Sequence, residues 1–156
     1  HRQSLILSYT ARMQPPTDHS IPDRETLATL LQGHGISPTA QRVEIAAILL
    51  SKRQHLSADQ VLGRLIAQGA AVSKATVYNT LGLFAEKSLI REVIVDPAKV
   101  FYDSNADTHH HFYNVDDGTL IDVDSLELPI EQMPRPPAGT VAEGVDIVIR
   151  IRNKRA

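Results

Sequence analysis

Three consecutive histidines, His109, His110 and His111, are the densest run of metal-binding side chains in the sequence. On extended backbone, side chains alternate, so His109 and His111 share one face and His110 takes the other. Two imidazoles at i and i+2 of a strand can chelate one ion. Asp103 lies just upstream, at the end of a predicted strand. Asp122 lies on the predicted hairpin partner of the histidine strand, where it can fold back beside them. His55 precedes a predicted helix. Nitrogen and oxygen donors without sulfur suit Fe(II), Mn(II), Co(II) or Zn(II). Plainer readings stand beside this one. The triplet could be a solvated loop, and His55 a structural histidine. A tag remnant is a poor reading, because the triplet is internal and is followed by Phe112 and Tyr113.

A second group of residues could contact DNA. Ser73 caps a predicted helix running to about Lys87, with Val77, Leu81 and Phe84 on its inward stripe. Ala75, Tyr78, Asn79 and Gly82 then face away, with Thr76 flanking. The two small residues permit close approach to a groove, and Thr76, Tyr78 and Asn79 can reach base edges or phosphates. The Ser73 end offers free backbone N–H groups to a phosphate, and Lys74 adds charge there. Arg42 can reach phosphate from the second helix. The alternative is a plain solvent-facing helix side.

These groups need elements to position them. Asp23 can cap a helix carrying Leu27, Leu30 and Leu31, ended by Gly33 and Gly35. Ser37-Pro38 reads as cap and first residue of a second helix with Val43, Ala46, Ala47 and Leu50 on its apolar side. Ser57 and Gln60 form a capping box for a third, which buries Val61, Leu62, Leu65 and Ile66 before Gly69. After the fourth helix the period changes to two: Arg91 to Val95, a turn at Asp96 to Lys99, and Val100 to Asp103. Helices followed by a hairpin make a winged helix-turn-helix. His109 to Val115 and Thr119 to Asp124 read as a second hairpin around Asp116-Asp117-Gly118. Val145, Ile147, Ile149 and Ile151 alternate with Asp146, Arg150 and Arg152 as a last strand. The fold class is α+β: a winged helix-turn-helix over 23–104, then a small α/β unit over 105–156. About fifty residues bury too little alone, which points to dimerisation. Residues 1–22 read as a flexible tail, with Met13 as a natural start and residues 1–12 as an addition.

Composition narrows the function classes. The chain has 156 residues, no cysteine and a net charge of -2. A disulfide framework, a thiolate zinc site and a cysteine nucleophile are excluded. No apolar run is long enough to cross a membrane. Residues 1–100 hold 11 Lys/Arg against 8 Asp/Glu, and residues 101–156 hold 5 against 10. The mildly basic half is the one suited to nucleic acid. No zincin motif, nucleophile elbow or phosphate loop is present, which argues against an enzyme.

The ordered segments Gly35-Ile36-Ser37-Pro38-Thr39-Ala40-Gln41-Arg42, His55-Leu56-Ser57-Ala58-Asp59, Ala75-Thr76-Val77-Tyr78-Asn79-Thr80-Leu81 and His109-His110-His111 resemble the ferric uptake regulator family, from about residue 24 to 153. Phe101-Tyr102-Asp103 leading into the triplet, the proline-rich stretch from Leu128 to Pro137 and the final Val145 to Arg150 are similar to its iron response regulator branch. The resemblance implies a cytoplasmic, homodimeric, metal-responsive transcriptional regulator on a palindromic double-stranded operator. It implies His55, Asp103, His109, His111 and Asp122 as ligands of a regulatory Fe(II) or Mn(II) ion between two domains, with Zn(II) able to substitute. Asp122 stands where uptake regulators carry Glu, as in the family's peroxide sensors, which leaves open iron-catalysed oxidation of a ligand histidine. A constitutive structural metal is the other alternative. The branch also associates the triplet with haem, so His109, His110 and His111 are candidate haem ligands. The family's cysteine-based structural zinc is absent, and Pro129 and Asp146 replace the partners of its peripheral site.

Overall fold

The computed structural model describes residues 22–106, 109–123 and 132–155. The tail read at 1–22 falls almost wholly outside them, as do Pro129 and the start of the proline-rich stretch.

Four helices lie between residues 24 and 86, with one short strand between the second and third: α1 (Arg24–Gly33), α2 (Ala40–Leu49), α3 (Ala58–Ala67) and α4 (Lys74–Glu86). Their starts follow from side chains that accept otherwise unpaired N–H groups. Asp23 accepts from Thr26, Ser73 accepts from Thr76, and Ser57 and Gln60 complete a reciprocal capping box. The cap of α2 is Thr39, accepting from the Arg42 N–H, so Ser37-Pro38 lies before the helix and not at its start. Gly69 follows α3 with a φ of +79°, a conformation that costs a side chain energy. The core of the helices is built on Leu27, Leu31, Ile45, Leu49, Val61, Leu65, Val77, Leu81 and Phe84. Two predicted core residues are exposed: Leu30 on α1 and Ile66 on α3. Among the described residues, no second layer covers either.

Two three-stranded sheets follow. The first has the order β1 (His55–Leu56), β3 (Lys99–Asp103), β2 (Arg91–Asp96), all antiparallel. The two-residue β1 adds a third strand to the predicted wing hairpin. The second has the order β5 (Leu120–Val123), β4 (His110–Asn114), β6 (Val148–Ile151). β5 is antiparallel to β4, and β6 is parallel to it.

The two sheets face one another through a small apolar cluster. Val93, Val95 and Phe101 of the wing sheet are buried there with Tyr113, against Val115, Leu120 and Val148. Lys99 Nζ also reaches the Tyr113 hydroxyl at 3.1 Å. In β6 it is Val148 that packs inward. The predicted isoleucine face points the other way, with Ile149 37% exposed. The sequence pattern marks the alternation and leaves the inward face open, because neither strand direction nor partner is written in the period of a strand.

Candidate metal centre

The cross-strand register builds half of the site. His55 of β1 and Arg91 of β2 both pair with Asp103 of β3, forming one row across the wing sheet. Directly paired residues share a sheet face, and this row lies on the face that carries Val93 and Phe101. On the opposing sheet His111 pairs with Asp122. His109, just before β4, completes the set. All five predicted ligands therefore meet at one end of the space between the sheets.

The geometry is tight. His55 Nε2 lies 3.0 Å from Asp103 Oδ2 and 2.8 Å from Asp122 Oδ1. His109 Nε2 lies 2.7 and 3.0 Å from the same two oxygens, and His111 Nε2 3.2 Å from each. One donor atom from each residue lies within 4.8 Å of every other. Donors about 2.1 Å from a common centre and at right angles stand about 3.0 Å apart, using ordinary metal–nitrogen and metal–oxygen lengths. The six nitrogen–oxygen separations, 2.7 to 3.2 Å, bracket that value, so these residues would be able to hold one ion between them. An imidazole has one lone pair or one hydrogen on Nε2, so it cannot bond fully to both oxygens. A shared cation satisfies all five donors at once. The residues present fit a divalent ion with a nitrogen–oxygen preference.

Electrostatics agrees with the geometry. Asp103 is fully buried. Burial pushes its carboxyl up, but hydrogen bonds from His111, His55 and the Asn105 N–H outweigh it and hold the group well below the usual range. Burial pulls the His55 imidazole down, and the Asp103 and Asp122 carboxylates more than reverse that, leaving it raised.

His110 plays a different part. Its Nδ1 accepts the Ile147 N–H at 3.0 Å, while the Ile147 carbonyl accepts the His111 N–H at 3.1 Å. Burial, helped by Arg91 and the flanking histidines, keeps its imidazole below the ordinary value. The haem expectation gains no support from this arrangement. His109 and His111 turn to the carboxylates, and His110 is 9% exposed with Nδ1 committed to the backbone.

The predicted DNA-contacting residues lie elsewhere, on and near α4. Lys74, Tyr78 and Asn79 are exposed, and Thr76 is half-buried. Asp59 of α3 accepts from the Tyr78 hydroxyl at 3.3 Å and lies 3.5 Å from Lys74 Nζ. Ser73 is committed to Thr76. Arg42 turns back on its own helix start, Nη1 donating to the Ser37 carbonyl at 3.0 Å. Sequence reasoning passed over Asp59 and Arg91. Arg91 donates to the His109 carbonyl at 3.0 Å and pairs with Asp146. Its signal was a charged residue in phase with Val93 and Val95.

The family model for the ferric uptake regulator family matches residues 33–139. The chain belongs to this family. Among family relatives, the peroxide-responsive repressor PerR of Staphylococcus aureus is 31% identical over 98 residues, 63% of this chain and 66% of that protein. The Staphylococcus epidermidis PerR is 28% identical over 117 residues, 74% of this chain and 76% of its own. Among solved structures, the Pseudomonas aeruginosa ferric uptake regulator with manganese superposes with a TM-score of 0.61 at 26% identity. The alignment covers 81% of this chain and 97% of that one. The family assignment accounts for the helix-turn-helix, the wing and the second sheet together. The relatives include uptake regulators and peroxide-responsive repressors alike, so they speak for the family and not for the iron response regulator branch.

Proposed function

We propose that this ferric uptake regulator family member is a metal-responsive transcriptional regulator. It works in the cytoplasm and binds a palindromic operator as a homodimer. Residues 23–104 form its winged-helix DNA-binding domain, and residues 105–156 its dimerisation and metal-sensing domain. The observation that carries the reading is the meeting of His55 and Asp103 from the wing sheet with His109, His111 and Asp122 from the other side.

Fe(II) or Mn(II) is the ion proposed, with Zn(II) able to substitute; the solved relative with manganese and the sulfur-free donor set support this. When bound, the ion supplies a positive charge that all five donors share. His55 and Asp103 hold the wing side, and His109, His111 and Asp122 hold the other, so the angle between the two units is set. In a dimer that angle fixes the separation of the two α4 helices, which must match half-sites about one helical turn apart or a multiple of it. Tyr78, Asn79 and Thr76 read bases, while Lys74, the Ser73 end of α4 and Arg42 meet phosphate.

The outer face of the second sheet supports the homodimer. Phe112 pairs with Ile121 on one side and with Ile149 on the other, so the three form a row across the sheet. Ile121, on the edge strand β5, is 50% exposed, and Ile149, on the opposite edge strand, is 37% exposed, so the row is an apolar strip open at both edges.

The test starts from an operator selected out of a random duplex library by the Mn(II)-loaded protein. Fluorescence anisotropy then compares metal-free and Mn(II)-loaded protein on that duplex. Tightening by about 5- to 150-fold is expected, the usual range of allosteric coupling. Equal affinity in both states, with the metal still bound, reduces the ion to a constitutive structural one.

A second reading, peroxide sensing, is favoured by the PerR relatives and by Asp122 at the site. Mass spectrometry after exposure of the Fe(II)-loaded protein to peroxide tests it. One added oxygen on the peptide bearing His109 and His111, or on that bearing His55, supports it, and unmodified histidines reject it.

A further inference from the structure

We infer that Arg91 is a positioning residue for the metal centre, holding the His109 ligand to the wing before any ion arrives. The inference rests on the metal-responsive reading above and adds a residue to it.

Three observations converge on Arg91. It is the third member of the row that supplies two ligands, since His55, Asp103 and Arg91 lie side by side across the wing sheet. Its guanidinium does not fold onto Asp103. It crosses to the second sheet, where Nη1 donates to the main-chain carbonyl of His109 at 3.0 Å. Its other arm pairs with Asp146, with the Arg91 side chain only 18% exposed.

Asp146 is itself tied to the histidine strand. The next residue, Ile147, donates to His110 Nδ1 and accepts from the His111 N–H. Arg91 therefore grips the strand at two points, once at the ligand His109 and once at the dipeptide that clamps His110 and His111. A guanidinium suits this task because its planar fork can hold two acceptors in fixed directions, whereas an ammonium is a single point charge. His109 lies ahead of β4, outside the ladder that locks His111, so among the ligands of the second sheet it is the one with most need of an anchor. Partners that orient metal ligands typically alter affinity by 10- to 100-fold when removed.

The test uses the full chain and Mn(II), with free Mn(II) read by electron paramagnetic resonance. Arg91→Gln is expected to weaken Mn(II) binding by about 10-fold and to change the spectrum of bound Mn(II). Arg91→Lys, which can hold one acceptor at a time, is expected to fall between Gln and the parent. A purely structural role lowers the melting temperature of the metal-free protein and leaves both the affinity and the spectrum alone. His109→Ala is run alongside. If it loses Mn(II) while Arg91→Gln keeps the parent affinity and spectrum, the Arg91 inference fails and the metal centre stands. If His109→Ala also keeps parent affinity, the metal centre falls, and this inference with it. Should Arg91→Gln fail to fold, Asp146→Ala decides. It frees one arm of the guanidinium, so about threefold weaker binding supports the inference and unchanged binding overturns it.

Discussion

The two faces of β4 do opposite work with the same backbone. The inward face carries His111 and Tyr113, and it meets charge, hydrogen bonds and the wing sheet. The outward face carries His110 and Phe112, and it continues the apolar row of Ile121 and Ile149. A one-residue slip would exchange the two, placing Phe112 against two carboxylates and His111 in the apolar row. The register is therefore under pressure from both sides, and the clamp of Ile147 on His110 and His111 adds a third constraint. On the proposed reading, sensing and self-association are separated by the pleat of one strand.

Breaking the inward face alone is expected to give the largest effect. Asp103→Ala removes the oxygen shared by three imidazoles at a fully buried position. Mn(II) affinity falls by more than about 100-fold, comparable to or beyond the loss of an orienting partner. Calorimetric titration measures it, and analytical ultracentrifugation should still find the parent oligomer.

Breaking the outward face alone should do the reverse. Phe112→Glu with Ile121→Glu places like charges on paired positions of a proposed interface. Ultracentrifugation is expected to show monomer, with each monomer retaining Mn(II) within a few-fold. Operator affinity then drops steeply, since one half-site carries only part of the binding energy. A dimer that survives both substitutions moves the interface elsewhere.

Two changes on α4 sharpen the contrast with the proposed DNA-reading surface. Tyr78→Ala is expected to cost about 1–3 kcal/mol on the operator and little on random duplex, because its proposed contact is to bases. Lys74→Ala should weaken both duplexes alike and reduce the salt slope by about one. Equal losses for Tyr78→Ala on the two duplexes would remove base readout from that residue.

His110→Ala tests the seam between the faces. The Ile147 N–H loses its acceptor, for about 1–3 kcal/mol of stability by thermal melting. Mn(II) affinity should move far less than with Asp103→Ala. A loss as large as that one would make His110 a ligand.

The smallest expected effect lies at α1. The Thr26 backbone N–H, with the Thr26 side chain, holds the Asp23 carboxyl below its ordinary value, against a slight opposing push from burial. A carboxyl lowered by folding stabilises above its unfolded pKa, and that contribution is lost as pH falls through the folded one. Asp23→Asn keeps the cap without the titration. It should therefore flatten the acid end of the stability curve below about pH 4 and leave neutral stability nearly unchanged.

Much of this was legible in the residues. Helix caps at Asp23, Ser57 and Ser73 are local chemistry, and all three sit where their side chains predict. The alternation of His109, His110 and His111 is likewise local, and the structure divides them accordingly. The cap of α2 was misplaced because Ser37-Pro38 and Thr39 carry competing signals two residues apart, and only Thr39 reaches a free N–H. β1 was illegible because two residues have no period. It exists because β3 offers His55 and Leu56 an open edge.

The sequence by itself determined the donor types, the sulfur-free chemistry, the helical unit and the alternation of side chains along the longer strands. These depend on side-chain identity and on spacings of a few residues. Only the tertiary structure decided that the wing row and the histidine strand face each other across one centre. It also decided that Val148 packs inward and that Arg91 crosses between the sheets. Those outcomes depend on how two sheets pack, and contacts spanning 18 residues for Arg91 and His109, or 67 for His55 and Asp122, have no counterpart in any local pattern.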